Sequence, residues 1–83
     1  VAAPDANRVK SKLAGLDLLV VCDVFVNETA ELADYVLPVL QWTEEEGTLT
    51  NFEGRVIRRR VATEAPEGPR SDLWIMGELA KRL

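Results

Sequence analysis

A length of 83 residues admits one small domain, and a hydrophobic content of 47% is enough for a modest core and too high for a disordered chain. Ten Lys and Arg against 14 Asp and Glu give a net charge of −4, which argues against a nucleic-acid or anionic-membrane surface unless the basic residues cluster. The single cysteine, Cys22, and the lack of histidine exclude an intrachain disulfide, an all-cysteine zinc or iron–sulfur site within the chain, and the commonest general base.

Asp5 is positioned to cap a first helix over Asn7 to Ala14, with Arg8, Val9, Lys12 and Leu13 on successive turns and Gly15 as its stop. Leu16 to Val24 is a nearly continuous apolar run ending in an acidic residue. Such a run fits a strand covered on both faces, so Leu18 to Cys22 is expected to be the central strand of a parallel sheet. Asn27 or Thr29 caps a short helix containing Ala30, Leu32 and Ala33, and Tyr35 to Leu37 is a second strand that Pro38 should end.

Thr43 to Gly47 reads as an acidic turn, Thr48 to Asn51 as extended or looped, and Arg55 to Val61 as strand-like with its charges in a block. Pro66, Gly68 and Pro69 make a stiff connection. Ser71 caps a last helix over Asp72 to Leu83, with Asp72 suited to the helix dipole and Leu73, Met76, Leu79, Ala80 and Leu83 on one apolar face. The expected fold class is α/β: a three-layer, mostly parallel sheet flanked by helices, forming part of a dinucleotide-binding-like domain. No apolar run approaches the ~20 residues needed to span a membrane, and the start lacks the basic-then-apolar order of a signal peptide. The chain begins without Met and stops at Leu83 inside a helical pattern, so residues 1–83 are expected to be a piece of one α/β domain of a longer protein.

Cys22 and Asp23 fall where the apolar strand meets a loop, and ligands of open α/β sheets bind outside the carboxyl ends of strands. Asp23 can take hydrogen bonds from a nucleotide's ribose or base, or it can cap local backbone amides. Cys22 reads as a small buried hydrophobe, without a cationic partner to activate it. Glu44, Glu45 and Glu46 read as a solvated turn. The Arg55, Arg58, Arg59 and Arg60 cluster can grip phosphate or defend an exposed strand edge, and Asp72 can serve the helix dipole alone. No residue is assigned a catalytic or metal-ligating role.

Several ordered blocks resemble the molybdopterin oxidoreductase family, the bis-molybdopterin guanine dinucleotide enzymes. They run from Val20-Val21-Cys22-Asp23-Val24-Phe25 through Glu28-Thr29-Ala30-Glu31-Leu32-Ala33-Asp34-Tyr35-Val36-Leu37-Pro38. The run Trp42-Thr43-Glu44-Glu45-Glu46-Gly47-Thr48-Leu49-Thr50-Asn51-Phe52-Glu53-Gly54-Arg55-Val56 and the block Arg70-Ser71-Asp72-Leu73-Trp74 complete the match. The resemblance implies an α/β domain that holds a guanine dinucleotide arm of the molybdenum cofactor. It carries cofactor contacts onto Cys22 and Asp23, onto Asp72, and onto Glu45, where periplasmic nitrate reductases have Lys. A carboxylate at position 45 does not replace a phosphate-facing ammonium.

Within the family, the wording from Glu44 to Arg60 most resembles cytoplasmic assimilatory nitrate reductases, with formate dehydrogenase catalytic subunits close behind. The large iron–sulfur subunit of respiratory NADH dehydrogenase, in which the domain is structural, also carries Asn-x-Glu-Gly-Arg. The resemblance therefore implies a cytoplasmic molybdenum oxidoreductase converting nitrate to nitrite, with the molybdenum ligand and a [4Fe-4S] cluster outside residues 1–83. Its implied partners are the rest of the parent polypeptide and a redox protein supplying electrons, with no nucleic acid and no membrane span. The isolated chain is expected to be inactive.

Overall fold

The computed structural model describes residues 3–83 and divides into two compact units, the first ending at Pro38 and the second running from Val39 to Leu83. The first unit contains α1 (Ala6–Ala14), β1 (Val20–Asp23), α2 (Glu28–Glu31) and β2 (Tyr35–Pro38). β1 and β2 pair in parallel, with Val20 opposite Tyr35, Val21 opposite Val36, Cys22 opposite Leu37 and Asp23 opposite Pro38. Parallel strands cannot be joined by a tight turn, and the crossover here is residues 24–34, with α2 inside it.

The second unit contains an antiparallel hairpin, β3 (Gly47–Thr50) and β4 (Val56–Arg59), and then α3 (Asp72–Arg82). The Thr43 carbonyl extends the hairpin by accepting from the Ala62 and Thr63 N–H groups at 2.8 and 3.1 Å. A parallel bridge joins Val39 to Arg70, where the Leu40 N–H donates to the Arg70 carbonyl at 3.3 Å.

The fold is α/β, but the strands form two separate two-stranded sheets, one parallel and one antiparallel. The three-layer, mostly parallel sheet expected around Leu18 to Cys22 is more than these two small sheets show. The strand is Val20–Asp23, its one hydrogen-bonded neighbour is β2, and Val20 is 45% exposed. The apolar run correctly marks a strand that wants cover on both faces, but among the described residues nothing supplies the second neighbour. The Arg-rich segment, expected to be strand-like, does supply a strand, β4; its pairing with β3 had no signal in the sequence because its charges are grouped, whereas strands with one solvated face alternate.

Smaller differences have local causes. Asp5 occupies the N-cap position of α1 in a left-handed conformation (φ 54°) and its side chain makes no capping bond. Gly15 does end α1, its N–H donating to the Lys12 carbonyl and the Leu16 N–H to the Leu13 carbonyl, both at 3.2 Å, without a positive φ. Pro38 is the last residue of β2 and not the first beyond it, which a strand end tolerates since Pro has no N–H to leave unpaired. Ala30 and Val39 are the buried apolar residues among those described, while the α3 face of Leu73, Met76, Leu79 and Leu83 is exposed.

Candidate functional site

At the carboxyl end of β1 the chain leaves the sheet through a turn held by one side chain. Asp23 Oδ1 accepts from the Val24 N–H at 2.7 Å and the Phe25 N–H at 3.4 Å, and Asp23 Oδ2 accepts from the Asn27 side-chain amide at 2.6 Å. Asn27 Oδ1 then accepts from the Thr29 and Ala30 N–H groups at 3.1 and 3.0 Å, capping α2. Strand end, turn and helix start are thus one hydrogen-bonded chain. The Val24 amide, then the Asn27 amide, then the Phe25 amide hold the Asp23 carboxyl below the ordinary carboxylate value, because each bond favours the charged form.

The start of β1 is clamped from the other direction. The Leu19 N–H donates to Asp34 Oδ2 at 2.8 Å, and the Leu19 carbonyl accepts from the Asp34 and Tyr35 N–H groups at 2.8 and 3.3 Å. Asp34 therefore sets the β1–β2 register, a role the sequence reading missed. An acidic residue immediately before a strand was the available signal.

Glu45 lies before β3, half-buried and turned towards its own hairpin. Arg59 Nη2 stands 3.9 Å from its carboxylate, and Arg59 Nε donates to its backbone carbonyl at 3.4 Å. Gly47 makes room for this guanidinium, since a Cβ at position 47 would lie 2.9 Å from Arg59 Nη2. Arg58 pairs with Glu46 at 3.0 Å, and Glu44 Oε2 accepts from the Gln41 N–H at 2.9 Å. Two members of the glutamate run, Glu45 and Glu46, and two of the arginine block, Arg59 and Arg58, read separately from the sequence, are therefore partners across one hairpin.

The Asn-x-Glu-Gly-Arg segment is the tip of that hairpin. Asn51 Oδ1 accepts from the Glu53 and Arg55 N–H groups, both at 3.0 Å, the Asn51 N–H donates to the Arg55 carbonyl at 3.1 Å, and Gly54 sits at φ 79°. Only glycine adopts that conformation without Cβ strain. Phe52 at the tip is fully exposed.

Asp72 is the first residue of α3 and is exposed. The preceding Ser71 caps the helix, its Oγ accepting from the Trp74 N–H at 3.1 Å, and no hydrogen bond reaches the Asp72 carboxylate among the described residues. Arg70 packs its guanidinium over the Trp74 ring, 5.6 Å from the centroid. Cys22 and Asp23 belong to the first unit, and Glu45 and Asp72 to the second.

The chemistry of this donor and acceptor set can be compared with a nucleotide. An ionised carboxylate has about four acceptor positions, of which Asp23 uses three locally, leaving one direction for a hydroxyl or a single N–H. Asp72 keeps both oxygens available, as a bidentate contact with adjacent N–H donors requires. Glu45 is a carboxylate already facing a guanidinium, and it does not fit a phosphate. No group of three or more His, Cys, Asp or Glu side chains arranged for a metal ion occurs among the described residues. No helix among them is long and apolar enough to cross a membrane.

The combination defines an α/β protein with a built polar turn at the carboxyl end of a parallel strand, the region where such folds hold ligands. The family model for molybdopterin oxidoreductase matches residues 1–82, and the chain belongs to that family. It is 47% identical over its full length to the F420-dependent formate dehydrogenase 2 subunit alpha of Methanococcus maripaludis, covering 12% of that protein. It is 42% identical over its full length to the assimilatory nitrate reductase catalytic subunit of Bacillus subtilis, again covering 12%. Over 96% of the chain it is 42% identical to an NADH-quinone oxidoreductase subunit of Rhizobium meliloti, covering 9%. The chain thus spans about a tenth of the length of the curated relatives it matches.

Proposed function

We propose that this chain is the cofactor-holding α/β portion of a molybdenum oxidoreductase, with Asp23 and Asp72 gripping the guanosine end of a pterin guanine dinucleotide. The observation that carries the reading is the strand-end turn, in which Asp23 is anchored by three hydrogen bonds and retains one free acceptor direction. Asp72, with both oxygens available, suits the adjacent N1–H and N2–H donors of guanine, and Asp23 suits a ribose hydroxyl. Cys22 contributes its backbone, which any side chain allows. Glu45 contributes through Arg59, whose guanidinium it orients.

When bound, the molybdenum–pterin group supplies two-electron redox chemistry. The residues of this chain bind and orient its nucleotide arm. Both units belong to one α/β domain, in which β1 and β2 join a larger, mostly parallel three-layer sheet. The exposed Val20, Val36 and Leu37 support that reading, since parallel strands are ordinarily covered on both faces.

The parent enzyme reduces nitrate to nitrite in the cytoplasm, with electrons from a redox partner and a [4Fe-4S] cluster elsewhere in its chain. The wording of the segment from Glu44 to Arg60 supports nitrate. The 47% identity to a formate dehydrogenase subunit favours a second reading, formate oxidation.

Two measurements test the proposal. Full-length parent is assayed with nitrate and a reduced viologen, and with formate and an oxidised one. Turnover of formate alone replaces the first reading by the second, and turnover of neither removes both. Asp23→Asn and Asp72→Asn in the parent are expected to lower molybdenum and guanine content while the cofactor-free protein keeps its fold. Full cofactor occupancy in the double variant would leave both residues only local capping roles.

A further inference from the structure

Asn27 joins two structures that could have been independent. Its Nδ2 donates to Asp23 Oδ2 at 2.6 Å, while its Oδ1 accepts from the Thr29 and Ala30 N–H groups. The amide can lie only one way round, because reversing it would put an oxygen against a carboxylate and an NH2 group against two N–H donors. The first turn of α2 therefore fixes the orientation of the amide, and the amide fixes Asp23. The remaining contacts on Asp23 come from the adjacent Val24 and Phe25 backbone. A rotation of the Asp23 side chain that broke the Asn27 bond would leave the Asn27 N–H without its acceptor. Asn27 is itself exposed and has no other side-chain hydrogen bond among the described residues.

We infer that Asn27 is a positioning residue for the nucleotide arm: it holds the Asp23 carboxylate in one rotamer and directs its remaining acceptor position away from the turn. This rests on the reading that Asp23 contacts that arm. Capping alone would accept Asp or Ser at position 27 as readily as Asn. Holding Asp23 demands a donor, and Asn is the residue that caps with one end and donates with the other.

The test exploits that difference in the full-length parent. Asn27→Asp retains the cap but sets a second carboxylate against Asp23, which drives the two apart. Asn27→Ser retains a capping oxygen with no amide to reach Asp23 and adds no charge. Asn27→Ser is expected to leave the cofactor-free protein folded with at most a small drop in thermal midpoint, and Asn27→Asp to lower it further through the repulsion of the two carboxylates. Both variants are expected to lose guanine and molybdenum per chain at limiting cofactor, on the order of tenfold for Asn27→Asp, the scale on which partners that orient a contacting group act. Guanine is measured after acid hydrolysis and molybdenum by elemental analysis, so neither readout depends on turnover. Should Asn27→Asp fail to fold, the Asn27→Ser result decides. Normal loading of Asn27→Ser beside a poorly loaded Asp23→Asn variant overturns the role of Asn27 and leaves the reading of Asp23 intact. Normal loading of Asp23→Asn overturns both.

Discussion

The two units order their four-residue strands by opposite means. In the second, β3 and β4 are neighbours in sequence, and everything that closes the hairpin lies between Gln41 and Thr63. Asn51 and Gly54 shape its tip, and Arg58 and Arg59 meet Glu46 and Glu45 at its base. In the first, β1 and β2 are held by the Leu19–Asp34 clamp at one end and the Asp23–Asn27 turn at the other, with apolar residues between them left open to solvent. The polar ends of both units are satisfied from within. The apolar middle of the parallel pair is not, since a parallel sheet draws its stability from layers on both faces. The hairpin is closed by its own tip and base, whereas the parallel pair is fastened only at its ends; both leave apolar residues open, Leu49, Val56 and Ile57 being as a group no less exposed than Val20, Val36 and Leu37.

The largest consequence concerns the 83-residue chain expressed alone. It is expected to bind a hydrophobic dye, to self-associate in light scattering, and to turn over neither nitrate nor formate with molybdenum and cofactor supplied. In hydrogen exchange its hairpin amides should outlast those of Val20–Pro38. A monodisperse monomer with the parallel pair better protected would reverse the comparison.

Next in size are changes at the hairpin tip, read as thermal or denaturant unfolding of the full-length protein. Asn51→Ala strips the acceptor from the Glu53 and Arg55 N–H groups and is expected to cost about 1–2 kcal/mol. Gly54→Ala puts a Cβ on a left-handed residue and is expected to cost about 1 kcal/mol. Costs near zero at both positions would mean that the hairpin, too, is held from outside.

A smaller effect separates the units by pH. The Asp23 carboxyl is held below its ordinary value by the Val24, Asn27 and Phe25 bonds, so its folded form binds a proton less readily than its unfolded form. The stability it contributes is complete above the ordinary carboxylate range and is lost as pH falls through that range to the lowered value. Asp23→Asn should flatten the acid limb of the unfolding profile of cofactor-free parent. An unchanged slope would show that the turn adds nothing in that window. The smallest effect is expected for Arg58→Ala, below about 0.5 kcal/mol in the same unfolding assay, because the pair with Glu46 is exposed on both sides. A loss several times larger would make the ion pairs, and not the loop, the principal closure of the hairpin.

Much of the architecture was legible where a local rule decides it. Ser71 caps its helix, Asn27 caps α2 as one of the two residues the sequence offered with Thr29, Gly15 ends α1, and the apolar run into Asp23 is a strand with a polar turn behind it. The candidate carboxylates were legible as types and not as states. Asp23 and Asp72 both stand at element ends that suit an acidic residue, yet one is held by three hydrogen bonds and the other by none among those described. Glu45 and Arg59 were read as separate features because they stand 14 positions apart. Their pairing follows from a register that no periodic signal announced.

What the amino-acid order determined by itself is short-range: which residues have the φ, the capping oxygen or the apolar side chain for a given element, each dependent on a few neighbours. Pairing was decided only in three dimensions. Thr48 came to stand opposite Arg58 and Cys22 opposite Leu37, and with them Gly47 became the space for a guanidinium and Asn27 the link between a strand end and a helix. Pairing depends on which distant backbone groups satisfy one another once their loops have closed, and that free energy belongs to the whole arrangement and to no single window of sequence.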